Sequence, residues 1–208
     1  MSTLYHPVFL SKSIIALILG LFISHVGVGQ TYEKSILDHR EHYKNEFIKD
    51  KDAPIKKKDI KHLRFFDPDS KYQVSASFSR TTDATPFEML TSSGKTRSYV
   101  AYGILEFEIA GKTQNLTIYR SLDLQKIPKY RHYAFVPFKD LTNGKLSYGG
   151  GRYLDLQTTD IENGHLVLDF NKAYNPYCAY SAGYSCPIPP EANHLQVEIN
   201  AGEQNFSK

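Results

Sequence analysis

TRSYVAYGILEFEIAGKTQNLTIYRSL, residues 96–122, is the stretch that decides the fold class of this chain. Residues 96–111 form a long run with apolar side chains for both faces of a strand, and GKTQ (111–114) has the composition of a turn. Residues 115–122 carry a second strand pattern. A connection this short favours antiparallel pairing, because parallel strands need a long crossover.

Five further segments show short alternating or continuous apolar runs that are typical of strands. They are KYQVSASF (71–78), HYAFVPF (132–138), GRYLDLQT (151–158), GHLVLDF (164–170) and NHLQVEI (193–199). Turn signals with Gly or Asn-Gly, such as SSGK, LTNGK and ENGH, lie between them. Seven or eight strands without intervening helices predict a mainly β fold, a single antiparallel β-sandwich or barrel.

One amphipathic helix is predicted near the N-terminus, over residues 31–50. Its apolar side chains recur near helical spacing, at Tyr32, Ile36, Leu37, Tyr43, Phe47 and Ile48. We expect this helix to plug an open end of the β structure or to pack on one sheet. Its His and acidic residues (Asp38, His39, Glu41 and His42) suggest metal ligands, but a solvated helix face is the favoured interpretation.

The first 29 residues have the pattern of a secretory signal peptide. Lys12 precedes an apolar run over residues 13–28, no acidic residue occurs before Glu33, and the small residues Gly27 and Gly29 suit a cut that leaves Gln30 first. A membrane anchor is the alternative, but the run is short for a span of about 20 residues. We therefore expect export to the periplasm or the extracellular space, with no stable membrane insertion after cleavage.

Three segments follow from these patterns: a signal peptide (1–29), a helix with a charged connector (30–58) and a β domain (59–208). Cleavage leaves 179 residues with 24 basic and 22 acidic side chains, because Lys12 is the single charged residue lost. This balance gives no argument for binding nucleic acid or an anionic membrane. The oligomeric state stays open.

The usual catalytic and cofactor motifs are missing from the sequence, so we expect no cofactor. Three glycines, 149–151, precede Arg152 and could suggest a phosphate cradle. Such a cradle needs a helix N-terminus behind it, whereas a strand pattern follows here. A bulge or a close approach of backbone is the favoured interpretation.

Two segments, 132–156 and 168–203, resemble a bacterial and archaeal family known as domain of unknown function 1684. The resemblance rests on the phrases F-V-P-F-x-D, G-R-Y-L-D, F-N-x-A-Y-N-P and a Cys–Cys–Pro-x-Pro-Pro-E tail, and it extends from about Ile36 to Glu203. Tyr177 stands where the family pattern suggests a second proline. The resemblance implies no activity.

Cys178 and Cys186 are the chain's two cysteines, and they enclose seven residues. A disulfide is the favoured interpretation for an exported protein. A zinc site would need four ligands, and His194 and His165 are the remaining candidates, so we expect no metal. A catalytic Cys stays open, since it would need a lowered pKa and a nearby His. The resemblance adds that relatives without export signals keep the pair, so a reduced, site-associated role also stays open.

A candidate ligand-binding site is predicted around the cysteines, where eight of the 15 tyrosines fall between Tyr130 and Tyr184. Its residues are Arg152, Asp155, Asp169, Asn171, Tyr174, Asn175, Tyr180 and Glu191. Arg152 is predicted to be the centre, paired either with a ligand or with Asp169 or Glu191 inside the protein. An internal salt-bridge network is the alternative interpretation of the same residues.

Three functions remain. Binding of a small polar or anionic molecule is the favoured hypothesis. A hydrolase-type enzyme could instead use Asp155, Asp169 or Glu191 as acid or base, with Arg152 orienting an anion. An envelope structural protein without a ligand is the third. A perturbed carboxylate in a cleft would favour the enzyme, an open apolar cavity would favour binding, and a dry filled barrel would favour the structural protein.

Overall fold

The computed structural model describes the backbone of residues 12–207 and the side chains of residues 29–207. The side chains of residues 1–28 of the predicted signal peptide are therefore outside the described part of the chain, and cleavage stays a prediction. The N-terminal helix α1 spans Lys12–Lys49, so it begins well before the predicted residue 31. Among the described residues, no helix carries an apolar stretch long enough to cross a membrane.

Seven strands follow the helix. They are β1 (Gln73–Arg80), β2 (Phe87–Leu90), β3 (Thr96–Ile109), β4 (Lys112–Ser121), β5 (Tyr133–Phe138), β6 (Arg152–Gln157) and β7 (His165–Asp169). A short helix α2 spans Leu122–Gln125. Short 3₁₀ helices lie at Lys57–His62, Ser70–Tyr72, Pro128–Tyr130, Thr158–Asp160, Phe170–Lys172, Tyr177–Ala179 and Glu191–Asn193.

All pairings between these strands are antiparallel, and they join the strands into one sheet in the order β6-β5-β4-β3-β1-β7, with β2 added beside β3. The sheet curls into a half-barrel whose two edges are β6 and β7. The prediction of a mainly β, antiparallel fold with one N-terminal helix is confirmed. The half-barrel leaves a seam between its two edge strands.

The β3–β4 hairpin is the longest pairing in the sheet. Its register runs from Tyr99 opposite Ser121 to Ile109 opposite Lys112. Ala110 and Gly111 connect the strands with φ of 52° and 69°. A tight hairpin turn whose twist matches the strands requires a positive φ at both of its central residues. The turn therefore comes one residue earlier than GKTQ predicts.

The segment 193–199 differs from its prediction as a strand. Leu195, Val197 and Ile199 are buried in alternation, as the pattern required, but the backbone is irregular. Its hydrogen bonds go to the chain after β5: Leu195 N donates to Lys139 O, and Leu141 N donates to Val197 O. Alternating burial thus arises here without a continuous strand ladder.

Both faces of the sheet are covered by apolar residues. The main core lies on one face and includes Leu105, Leu116, Ile118, Val136 and Leu168, all at most 1% exposed. The other face carries a mostly aromatic cluster of Met89, Tyr99, Tyr119, Phe135 and Tyr153. Burial of a Leu or Phe side chain contributes about 1.5–3 kcal/mol, so these clusters are the main stabilising element of the sheet.

Helix α1 buries a stripe at four- and three-residue spacing that contains Ile36, Arg40, Tyr43 and Phe47. Ile36 is fully buried, and Phe47 packs in a third cluster with Ala53, Ile55 and Leu63. Leu37 and Ile48, which belong to the predicted apolar set, are instead 46% and 43% exposed. The stripe brings the helix beside the seam of the half-barrel.

Candidate functional site

A cleft of about 1000 Å³ opens at the seam of the half-barrel. Residues 153–156 of β6 form one side and 166–169 of β7 form the other. Helix α1 adds His39, Tyr43, Glu46 and Phe47, and the loop after residue 174 adds Tyr174, Pro176, Tyr177, Tyr184 and Pro187. The open sheet, the helix and the loop with the two cysteines therefore enclose one space.

Asp155 is the polar centre of the β6 wall. Its Oδ1 atom accepts hydrogen bonds from Tyr133 Oη at 2.8 Å and from Tyr174 Oη at 2.7 Å. No described residue donates to its Oδ2 atom. The strand alternation places Asp155 on the face opposite Leu154. One carboxylate oxygen is thus fixed by the protein, and the second can accept from a bound molecule.

The environment of Asp155 changes its acidity. The residue keeps solvent access because it lines an open cleft, yet surrounding protein atoms crowd its carboxyl group. This partial desolvation raises the pKa of Asp155 above its usual value, and the hydrogen bonds from Tyr174 and Tyr133 partly oppose the rise. The same burial, together with the nearby carboxylate, raises the pKa of both tyrosines. The tyrosines therefore stay protonated and act as hydrogen-bond donors.

Acidic residues outnumber basic residues along the cleft. The acidic side chains are Glu46, Asp50, Asp155, Asp160, Glu162 and Asp169, whereas the basic ones are Arg97, Lys172 and the imidazole of His39. Aromatic rings supply much of the remaining surface. Such a surface is suited to a ligand with an apolar face and several hydrogen-bond donors.

Cys178 and Cys186 lie at disulfide-bonding distance, with their Cα atoms 6.3 Å apart. The Oγ atom of Ser92, in the turn after β2, contacts Cys178 Sγ at 3.0 Å and accepts from Cys186 N at 3.1 Å. Ser92 N also donates to Cys186 O. The β2–β3 hairpin, which begins with a strand that the sequence did not predict, thereby supports the loop at the rim of the cleft.

Arg152 lies in the core rather than in the cleft wall. Its side chain is 0% exposed and pairs with the equally buried Asp140 at 2.7 Å. Its guanidinium also donates to the carbonyl oxygens of Ile199, Ala201 and Glu203. Burial lowers the pKa of Arg152, and Asp140 opposes that effect. Its charged partner is thus Asp140, instead of the Asp169 or Glu191 named from the sequence.

A side chain at position 151, directly before Arg152, would clash with the surrounding chain. Gly151 has a φ of 94°, and a Cβ atom would lie 2.7 Å from Phe138 O and 2.6 Å from Pro189 Cγ. The predicted close approach is therefore made by the protein's own chain. Asp140 ends F-V-P-F-x-D, and Arg152 belongs to G-R-Y-L-D, so two phrases of the family resemblance supply one ion pair.

Glu203 forms a second buried cluster, which joins helix α1 to the loop with the cysteines. Its carboxylate is fully buried and accepts from Tyr180 Oη at 2.7 Å, from Tyr43 Oη at 3.2 Å and from Asn175 N at 2.9 Å. Burial raises its pKa to about 7, against the lowering effect of these hydrogen bonds. Tyr43 also lines the cleft, so this cluster supports the helix side of the site.

Asp169 and Asn171 form a third cluster at the end of β7. Asp169 Oδ1 accepts from Tyr32 Oη at 3.0 Å and from Asn171 N at 3.0 Å. Asn171 Nδ2 donates to Tyr32 Oη and to Asp69 O. These bonds attach helix α1, through Tyr32, to the β7 edge of the cleft.

The structure thus distributes the predicted site residues over separate clusters. Asp155 and Tyr174 meet in the cleft, Asn175 and Tyr180 meet at Glu203, and Asp169 and Asn171 meet at Tyr32. Arg152 lies in the core, and Glu191 is exposed on a 3₁₀ turn.

The sequence did not identify Tyr133, Asp140 or Glu203 as site residues. Asp140 and Glu203 do fall inside the segments that carry the family resemblance, which is a signal that could have found them. Tyr133 also falls inside segment 132–156 and among the eight tyrosines between Tyr130 and Tyr184, so the same signal applies to it. Within the described part of the chain, no three His, Cys, Asp or Glu side chains converge as metal ligands.

The fold and the cleft define a class: an open antiparallel β half-barrel with a helix beside its seam. The chain belongs to the family described as Protein of unknown function (DUF1684), which matches residues 58–204. It is also similar to an uncharacterized protein of Haloarcula marismortui with a solution NMR structure. The two are 33% identical with a TM-score of 0.65, over 86% of this chain and 96% of that one. No curated protein matches the chain.

Proposed function

We propose that the cleft binds a small molecule that is rich in hydrogen-bond donors. The observation that carries this proposal is Asp155, whose Oδ1 is held by two tyrosines while its Oδ2 has no donor among the described residues. A carboxylate held in this way is preorganised to accept from a hydroxyl or an ammonium group, since no side chain must be reordered on binding.

The character of the ligand follows from the lining. The rings of Tyr174, Tyr177 and Tyr184 offer flat apolar surfaces, and the acidic residues give the cleft an excess of negative charge. A polyol, a sugar or a small amine satisfies both features, through stacking and through donation to carboxylates. We therefore keep the hypothesis of a polar ligand. An anionic ligand is disfavoured in this cleft because acidic side chains outnumber basic ones there.

A thermal-shift screen tests the proposal. The purified protein is heated with a panel of sugars, polyols and small amines, and we expect at least one class to raise Tm. Asp155→Asn should abolish that shift, because an amide offers one acceptor where the carboxylate offers two. Asp83→Asn removes the same charge from an exposed position outside the cleft and should keep the shift. A panel without any stabilising compound, or an unchanged response of Asp155→Asn, would contradict the proposal.

A second candidate is hydrolysis by acid–base chemistry, which the raised pKa of Asp155 favours. A carboxyl group that titrates closer to neutral pH is better suited to exchange protons with a substrate. Chromogenic esters and glycosides would detect such activity. Tyr133→Phe removes a hydrogen bond that stabilises the carboxylate, so the acidic limb of the pH profile should move to higher pH. A profile that does not move would count against Asp155 as the titrating group.

We also propose that the protein is exported. The cysteine pair supports this proposal, since disulfides persist in oxidising compartments. Mass analysis of the N-terminus of the protein isolated from the periplasm or the medium should find Gln30 as the first residue. A chain that still begins at Met1 would count against cleavage.

A further inference from the structure

Arg40 is a buried cation that lacks the usual partners of its class. The side chain belongs to the buried stripe of helix α1 and is 7% exposed. Within the described residues, its Nε and Nη2 atoms have no hydrogen-bond partner. Its guanidinium lies 4.8 Å from the centre of the Phe65 ring, which packs against it without accepting its hydrogen bonds. Buried N–H groups of a charged side chain are costly to leave unpaired.

A small cavity of about 10 Å³ adjoins this side chain. Its walls include Arg40, Phe65, Lys172 and His39. His39, Tyr43, Lys172 and Tyr174 line both this cavity and the large cleft, so the two spaces are neighbours. A volume of this size accommodates a single atom-sized occupant, such as a water oxygen, a halide or one oxygen of a carboxylate.

The charges around the cavity favour an anion as that occupant. Arg40 and Lys172 are cationic, and burial together with the charge of Lys172 lowers the pKa of His39. Burial lowers the pKa of Arg40, and the charges of the exposed Asp67 and of Asp169 oppose that effect. Asp169 leaves its Oδ2 atom without a partner, and it makes no bond to Arg40 in the part of the chain that the structure describes. Arg40 and Lys172 therefore line a space whose described walls include no carboxylate.

We propose that this cavity is an anion site in which Arg40 Nε and Nη2 donate to a halide ion or to one oxygen of a carboxylate. Lys172 adds long-range attraction, and the ring of Phe65 excludes water from one side of the guanidinium. The site is separate from the donor-binding surface at Asp155 and does not require that the large cleft holds a ligand.

Sodium bromide is the probe that tests this site. Tm of the full chain is measured at increasing bromide for the wild type, for Arg40→Met and for the control Arg64→Met, which alters an exposed arginine. Because a ligand that binds the folded state stabilises it by mass action, we expect wild-type Tm to rise by about 4 °C at about ten times the dissociation constant. Arg64→Met should follow the wild type, and Arg40→Met should lose the rise.

Sodium acetate distinguishes the two sources of the anion. A larger shift with acetate than with bromide identifies a carboxylate oxygen as the preferred occupant, and the reverse identifies a halide; both support the site. Identical bromide curves for the wild type and Arg40→Met would overturn it. If Arg40→Met does not fold, anomalous scattering from wild-type crystals grown with bromide decides, since a peak beside Arg40 supports the site and its absence refutes it.

Discussion

The ion pair in the core and the carboxylate in the cleft contain the same kinds of groups, but they differ in how their hydrogen bonds are satisfied. The side chains of Arg152 and Asp140 are fully buried, and they bond to each other and to neighbouring backbone groups. Among the donors of Arg152, Nε has no partner within the described residues. Asp155 lines the cleft with one oxygen held by two tyrosines and the other without a donor among the described residues. The first arrangement is satisfied mainly by groups of the protein, whereas one oxygen of the second has no donor among the described residues.

This difference separates groups that stabilise the fold from groups that are available for binding. A charged residue of the first kind contributes through its partner inside the protein, so its loss should show in the free energy of unfolding. A residue of the second kind should show in ligand response at nearly constant stability. Residue type does not distinguish them, because both centres contain an Asp that accepts strong hydrogen bonds.

The largest effect is expected for Arg152→Ala, which leaves Asp140 as a buried carboxylate without its counter-charge. The free energy of unfolding should fall by about 3–5 kcal/mol in urea titrations. Arg64→Ala, which removes an exposed arginine, should change it by about 0.5 kcal/mol or less. The double change Arg152→Met with Asp140→Leu should recover part of the loss, since neither charge of the pair then remains buried, although Thr142 N and Ile199 N lose their acceptor. If Arg152→Ala is as stable as the wild type, Arg152 does not stabilise the fold in the way that distinguishes it from Asp155.

Glu203 should make stability depend on pH. Its pKa is near 4.5 in the unfolded chain and about 7 in the folded protein, so the folded state binds more protons between these values. Stability should therefore fall as pH rises from about 4.5 to about 7, by about 3 kcal/mol over the window. Unfolding titrations at several pH values measure this slope. Glu203→Gln should flatten it, and an equal slope in the variant would assign it to other groups.

Loss of the cysteine pair should cost about 2–3 kcal/mol, because the cross-link restricts a short loop of the unfolded chain. The double variant Cys178→Ser with Cys186→Ser and the wild type in reductant should show the same loss. Thiol labelling should detect two thiols only after reduction. Two cysteines that label freely in the oxidised protein would show that the pair is not bonded.

The smallest effect on stability is expected for Asp155→Asn. Tyr133 and Tyr174 can still donate to the amide oxygen, and the desolvated charge is removed. The free energy of unfolding should therefore change by about 1 kcal/mol or less. The same preparation that loses ligand response should thus melt like the wild type. A loss as large as that of Arg152→Ala would place Asp155 with the core and not with the cleft.

Local patterns explain which parts of the fold could be predicted. The β3–β4 hairpin joins neighbouring segments, so its pattern and turn lie together in the sequence. β2 was missed because it has four residues, of which Met89 alone is buried. Residues 193–199 showed the correct burial, but alternation does not reveal whether a strand is available to pair with them.

The site was harder to predict because its partners are brought together by the whole fold. Arg152 was recognised as a residue that needs a charged partner, yet the choice of Asp140 depends on how the chain between β5 and β6 returns to the core. Asp155 and Tyr174 were named, but Tyr133 lies on the adjacent strand and its role depends on register. Composition located the region, and the tertiary pairing decided which side chains face the cleft.

The bond between Tyr43 and Glu203 has a consequence for the order in which the chain folds. The two residues are 160 positions apart, and Tyr32 and Asp169 are 137 positions apart. During synthesis Tyr32 and Tyr43 leave the ribosome well before their carboxylate partners Asp169 and Glu203. Contacts across such separations form late, because a long loop must close before they can contribute. We therefore expect that the nascent helix stays undocked until the segment around Glu203 has been translated.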